Sequence, residues 1–133
     1  MIFDTDVLIW FFRGVGNAKD LIESQPYPAI SIVSLMELIQ GANSLAELRA
    51  IRRFFPAYGF LVLPINESIS HLAVTLMEEH SLRHGLQLAD ALIAATARET
   101  SSILATGNVR HFRPIPRLEL KVFRPRVAQK QSP

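Results

Sequence analysis

The 133 residues fit one domain, and nearly half of them are apolar (49%), enough to build a sizeable core. A charged fraction of 20% argues against disorder, and the absence of cysteine excludes disulfides, thiolate metal sites and a cysteine nucleophile together. Net charge is only +2, but Arg110, Arg113, Arg117, Lys121, Arg124, Arg126 and Lys130 put half of the 14 Lys and Arg into the last 24 residues, against one acid, Glu119. Such a segment can attract phosphate backbones or form a solvated tail. No apolar run approaches the ~20 residues that span a bilayer, and Met1-Ile2-Phe3-Asp4 lacks the charged and apolar regions of a signal peptide, so a cytoplasmic protein is expected.

In chain order, Met1–Phe3 reads as a very short strand ending in Asp4, and Val7–Phe12 as a short buried helix closed by Arg13-Gly14. Asn17–Ser24 suits a helical turn or two, and Pro26 and Pro28 mark a connection. Ala29–Val33 reads as a buried strand, and Ser34 then starts a helix that stops near Gly41. Leu45, Leu48, Ile51 and Phe55 give the next helix its apolar face, with Pro56 as its end. Phe60–Ile65 is a strand, Asn66 caps a long helix closed by His84-Gly85, and Leu88–Ala97 is an apolar, interior helix. Ser102–Ala105 is a strand, Thr106-Gly107-Asn108 a turn, and Leu118–Phe123 a last strand that suits an edge. Strands alternating with helices predict an α/β fold whose parallel sheet is covered on both faces.

In such a sheet the functional crevice lies beyond the carboxyl ends of the strands. Asp4 and Asp6 follow the first strand, Ser34 and Glu37 the second, and Thr106 and Asn108 the strand ending at Ala105. Asp90 lies early in the apolar Leu88–Ala97 helix, where an ionised carboxylate is costly unless balanced. No basic residue lies between His84 and Arg98, so its partner must come from elsewhere in the fold or be a metal. Hard oxygen ligands gathered at one crevice suit Mg²⁺ or Mn²⁺. Zinc fits poorly, because His71, His80, His84 and His111 form no known zinc motif.

Each residue also has a structural reading. Ser34-Leu35-Met36-Glu37 is a capping-box pattern, and taken alone that reading of Glu37 stands first. Asp90 suits the first turn of a helix. Asp6 reads as a cap of the helix after the first strand, His111 as a packing or surface histidine, and Trp10, Phe11 and Phe12 as core. Leu45, Leu48, Ile51, Phe54 and Phe55 read as core more than as an interface, while Gly14–Lys19 and Ala42–Arg53 could shape a groove.

Four ordered blocks carry a resemblance. Asp4-Thr5-Asp6-Val7-Leu8-Ile9, Ser34-Leu35-Met36-Glu37-Leu38-Ile39-Gln40-Gly41, Leu88 to Ala97 around Asp90, and Thr106-Gly107-Asn108-Val109-Arg110-His111-Phe112 resemble the signature blocks of PIN domains, above all the VapC toxins of toxin–antitoxin pairs. The resemblance implies a three-layer α/β/α sandwich with a central, mainly parallel sheet. It implies a PIN-like nuclease domain over 1–124, followed by a basic, flexible tail over 125–133. It also implies a Mg²⁺- or Mn²⁺-dependent endoribonuclease that leaves 5′-phosphate and 3′-hydroxyl ends, is held inactive by a cognate antitoxin, and forms a homodimer. By this resemblance Asp4, Glu37 and Asp90 are the catalytic, metal-holding acids. Thr5, Asp6, Thr106 and Asn108 support them, Asn108 standing where many members have a further Asp. Arg110 and Arg113 are candidates for RNA contact.

Two other readings stay open on sequence alone. An apolar strand followed by Asp4-Thr5-Asp6 is close to the nucleophile motif of haloacid-dehalogenase-like phosphatases, although the few lysines and late acids count against it. A PIN-like module that binds RNA or a partner without catalysis is the other.

Overall fold

The computed structural model describes residues 1–127. Its elements in chain order are β1 (Ile2–Phe3), α1 (Thr5–Phe12), α2 (Gly16–Glu23), β2 (Ala29–Ser31), α3 (Ile32–Gln40), α4 (Leu45–Ala57), β3 (Leu61–Leu63), α5 (Glu67–His84), α6 (Leu88–Glu99), β4 (Leu104–Thr106), α7 (Val109–Phe112) and β5 (Leu120–Val122). The strands form one parallel sheet in the order β3-β2-β1-β4-β5.

Two-residue periodicity divides this sheet into two packed faces. Ile2, Ala29 and Leu104, which pair in register, join Ile69, Leu76, Ile93 and Ala94 of α5 and α6. Phe3, Ile30 and Ala105 point the other way, into a cluster with Val7, Leu8, Ala18, Ile22, Phe54 and Phe55 from α1, α2 and α4. The outcome is the expected three-layer α/β/α sandwich. The chain leaves β1 toward β2 on one side, while β4 returns to its other side. This reversal opens a crevice at the carboxyl ends of β1 and β4, the position where parallel sheets bind ligands.

Local chemistry moves several expected boundaries. The strand predicted over Ala29–Val33 stops at Ser31, whose hydroxyl accepts the Val33 N–H at 3.1 Å and caps α3. Ser34 is therefore a fully buried residue inside α3, and the capping box predicted from Ser34 to Glu37 does not form. Pro56 lies within the last turn of α4 instead of ending it. The strand predicted over Phe60–Ile65 is reduced to Leu61–Leu63 at one edge of the sheet, and β5 forms the other edge. The limits of α5 agree with expectation: Asn66 Oδ1 accepts the Ile69 N–H at 2.8 Å, and Gly85 closes the helix at φ +72°.

Leu88–Ala97 is only partly interior. Ala91 and Ile93 to Ala97 are buried, but Leu88 is exposed. Where the sequence suggests a tail from 125, the first residues are tied down: Asn17 donates to the Arg124 carbonyl at 2.7 Å, and the Arg126 N–H donates to Asn17 Oδ1 at 3.0 Å. Residues 128–133, including Lys130, lie outside the described residues.

Candidate active site

Asp4 directly follows β1, and its buried carboxylate is held at both oxygens. Oδ1 accepts the Thr5 N–H at 2.8 Å, and Oδ2 accepts the Thr106 hydroxyl, from the end of β4, at 2.7 Å. Thr106 Oγ1 in turn accepts the Asn108 N–H at 2.9 Å. Burial raises the Asp4 carboxyl from 3.8 to about 7, and the negative charge of Asp6 adds to this. The bonds from Thr106 and Thr5 oppose the rise, and the charge of Asp90 reinforces it.

The sequence suggests Asp6 as the cap of α1, but Asp4 occupies that position. The Asp6 side chain instead crosses to the turn after β4, where Oδ2 accepts the Gly107 N–H at 2.9 Å. A Cβ on Gly107 would meet that oxygen at 2.8 Å, so the approach requires glycine. Asp6 Oδ1 is buried and has no hydrogen-bond partner among the described residues. Burial raises this carboxyl too; the bond from the Gly107 N–H lowers it, the charge of Asp90 raises it and that of Arg124 lowers it.

Glu37 reaches the same crevice through Thr5, whose Oγ1 donates to Glu37 Oε1 at 2.7 Å and lies 2.9 Å from Ser34 Oγ. The second block thus serves the site through Ser34 and Glu37 together, instead of capping its helix.

Asp90 has both a backbone partner and a side-chain one. It completes a capping box at the start of α6, accepting the Gln87 N–H at 3.2 Å. The same Oδ2 lies 2.9 Å from His111 Nδ1, which is also 2.9 Å from the Asn108 amide nitrogen. One ring nitrogen cannot accept from an amide and donate to a carboxylate at once. With its proton on Nδ1, His111 donates to Asp90, and Asn108 then meets the ring through its amide oxygen. The expected packing role of His111 is therefore corrected: it is the partner that Asp90 lacks in the sequence around it. The available signal is its spacing, three residues after Asn108 on one short helix. Sequence reasoning also misses Arg124, whose Nη1 donates to the Gly107 carbonyl at 2.9 Å and braces the turn that Asp6 grips.

The crevice thus collects Asp4, Thr5, Asp6, Glu37, Asp90, Thr106 and Asn108. Arg110 and Arg113 lie outside it, exposed on and just after α7. Half-buried Trp10 packs against the core on this side of the sheet with Arg13 over its ring, while Phe11 and the 42% exposed Phe12 join an aromatic cluster with Phe54 and Tyr58.

Among the described residues, no three His, Asp or Glu side chains already surround one point as a complete ligand set. The donor chemistry nevertheless fits Mg²⁺ or Mn²⁺, ions that keep several waters and need few carboxylates. Asp4, Asp6 and Asp90 repel one another. The unpartnered Asp6 Oδ1 is a buried acceptor of the kind a cation, or its water shell, satisfies.

The PIN domain family matches residues 1–118. The chain belongs to the PIN domain family. Ribonuclease VapC10 of Mycobacterium tuberculosis is 40% identical to this PIN domain over 116 residues, covering 84% of this chain and 85% of its own. Ribonuclease VapC19 of the same organism is 32% identical over 123 residues, covering 89% and 96%. Among solved structures, this PIN domain is similar to a chain of a toxin–antitoxin complex from Klebsiella pneumoniae, with a TM-score of 0.75 and 33% identity over 88% of this chain and 93% of that one.

Proposed function

We propose that this PIN domain is a divalent-metal-dependent endoribonuclease and the toxin of a VapBC-type toxin–antitoxin pair. The observation that carries the reading is the convergence of Asp4, Glu37 and Asp90, with Asp6, at the crevice between β1 and β4. The names of the VapC relatives and the toxin–antitoxin complex of similar fold support it.

In this reading Asp4, Glu37 and Asp90 hold Mg²⁺ or Mn²⁺. When bound, such an ion neutralises charge on a phosphodiester and makes water more acidic. The chain's own groups fix the acids in place. Thr106 and the Thr5 N–H hold Asp4, the Thr5 hydroxyl holds Glu37, and His111 with the Gln87 N–H holds Asp90. Asp6 adds negative charge and locks the turn that carries Asn108. In this reading water attacks phosphorus in line with the 3′ oxygen; the P–O3′ bond breaks, that oxygen takes up a proton as the 3′-hydroxyl, and the phosphate stays on the 5′ end of the other product.

The cognate antitoxin, a homodimeric assembly and action in the cytoplasm belong to the same reading. Among the described residues no helix is long and apolar enough to cross a membrane. The phosphatase alternative gains nothing from the site: Lys19 and Lys121, the lysines among the described residues, are exposed on α2 and β5.

The test is incubation of purified protein with total RNA in Mg²⁺, in Mn²⁺ or in EDTA, with mapping of the cut ends. Metal-dependent cuts that a folded Asp90→Asn variant no longer makes are expected. Undiminished cleavage by that variant would overturn the assignment.

A further inference from the structure

The acids are flanked by two recesses of opposite character. On the Glu37 side, a recess of about 570 Å³ is walled by Ile9, Phe12, Leu38 and Ile51. On the Asp90 side, one of about 470 Å³ lies between the end of α5 and α7, walled by Arg83, His84, Gln87, Arg110 and His111, with no carboxylate in its lining among the described residues. We infer that this second recess is a subsite for a backbone phosphate of the bound RNA strand, beside the phosphate that is cut. The inference rests on the ribonuclease reading of the acids.

Arg83 and His84 occupy the last turn of α5, where cations offset the helix dipole, and that alone would explain them. Arg110 arrives from a different helix, the four-residue α7, and brings a second permanent charge to the same recess. Gly85 makes the meeting possible. Its left-handed conformation, φ +72°, turns the end of α5 toward α7, so that a Cβ there would lie 3.9 Å from His111 Nε2. The other nitrogen of that ring, Nδ1, lies 2.9 Å from Asp90 Oδ2. One imidazole is therefore a wall shared by the acidic crevice and the cationic recess, and a strand leaving the acids on this side enters the recess directly.

The ligand class follows from the lining. Guanidinium forks match the oxygens of a phosphate, and amide and imidazole N–H groups can add neutral hydrogen bonds. Leu82 is the one apolar side chain in the wall, so a peptide would find little to anchor it. The apolar recess on the Glu37 side offers no such charge beyond Arg13.

The probe is a fluorescently labelled single-stranded RNA, bound to the full chain in EDTA across a series of KCl concentrations, with steady-state cleavage measured in Mn²⁺. In an Arg83→Gln, Arg110→Gln double variant the affinity should fall, and the slope of log affinity against log salt should shrink by about 0.7 for each phosphate no longer neutralised. The effect should fall on KM and not on kcat, because the arginines hold the phosphate equally in the ground and transition states. Arg83→Lys with Arg110→Lys should keep the slope, which separates charge from packing. Thermal melts confirm folding; should the double variant unfold, Arg83→Gln alone, on the exposed end of α5, gives the same readout at half the size.

An unchanged slope and KM in a variant that still cuts RNA would overturn the subsite and leave the ribonuclease reading standing. A wild-type protein that never cuts RNA in Mn²⁺ would overturn both. Loss of antitoxin affinity with an unchanged RNA slope would assign the recess to the protein partner and overturn the inference.

Discussion

Asp4→Asn should make the metal-free protein more stable at neutral pH while silencing its site. The Asp4 carboxyl titrates near 3.8 when unfolded and at about 7 in the fold. Between these values the folded state keeps a proton that the unfolded state has released, so stability falls as pH rises, by about 1.4 kcal/mol per pH unit, and levels off above about 7. The whole interval corresponds to about 4 kcal/mol; water entry and relaxation reduce this, and we expect a loss of about 2 kcal/mol between pH 5 and pH 8. Asparagine keeps the shape and the acceptor for the Thr5 N–H. Its amide faces the Thr106 hydroxyl, which must turn its own proton away, at a cost of about 1 kcal/mol that does not depend on pH.

The assay is urea unfolding in EDTA at several pH values, followed by the fluorescence of Trp10, the one tryptophan of the chain. The variant should show a shallower fall with pH than the wild type. A residual slope should remain, because burial raises Asp6 as well. Adding Mn²⁺ at 100 times its Kd should restore about 2.7 kcal/mol to the wild type and less to the variant. Parallel stability curves for the two proteins in EDTA would refute the account of Asp4 as a carboxylate strained by burial and like charge.

Thr5→Val removes the hydroxyl that holds Glu37 and should lower metal affinity or cleavage by about 10–100-fold, measured by calorimetry with Mn²⁺ and by initial rates. Gly107→Ala brings a Cβ to 2.8 Å from Asp6 Oδ2 and 3.2 Å from the Phe123 carbonyl; the backbone oxygen cannot yield, and a loss of about 1–3 kcal/mol in urea unfolding is expected. Gly85→Ala makes only an ordinary contact, 3.9 Å from His111 Nε2, but must hold a left-handed backbone, so its cost should be smaller, about 1–2 kcal/mol, read from the same titration.

The sandwich is legible in the sequence because strands and helices alternate and because the adjacent residues Ile2 and Phe3 already face opposite layers. Asp4 is legible as a polar residue at the end of an apolar strand, and Asp90 as a charge in apolar company. What stays hidden is set by competition between local signals. Ile32 and Val33 favour a strand, yet the hydroxyl of Ser31 commits them to α3, so the apparent cap at Ser34 becomes an interior residue holding Thr5. The roles of Asp6 and His111 depend on partners 101 and 21 residues away, Gly107 and Asp90, and no local periodicity encodes such distances.

The hydrogen bond between Thr106 and Asp4 joins residues 102 positions apart, across neighbouring strands. A ribosome making this chain has released Asp4 long before it links Thr106. Until then β1 lacks one of its two flanking strands, and the first carboxylate has neither its hydroxyl nor its wall. Glu37 and Asp90 also wait, because the crevice that gathers them is closed only when β4 docks. Contacts of such long range form late and slowly. The assembled carboxylate cluster is thus a property of the nearly finished chain, and the growing chain carries its acids scattered and inert while still attached to the machinery that translates RNA.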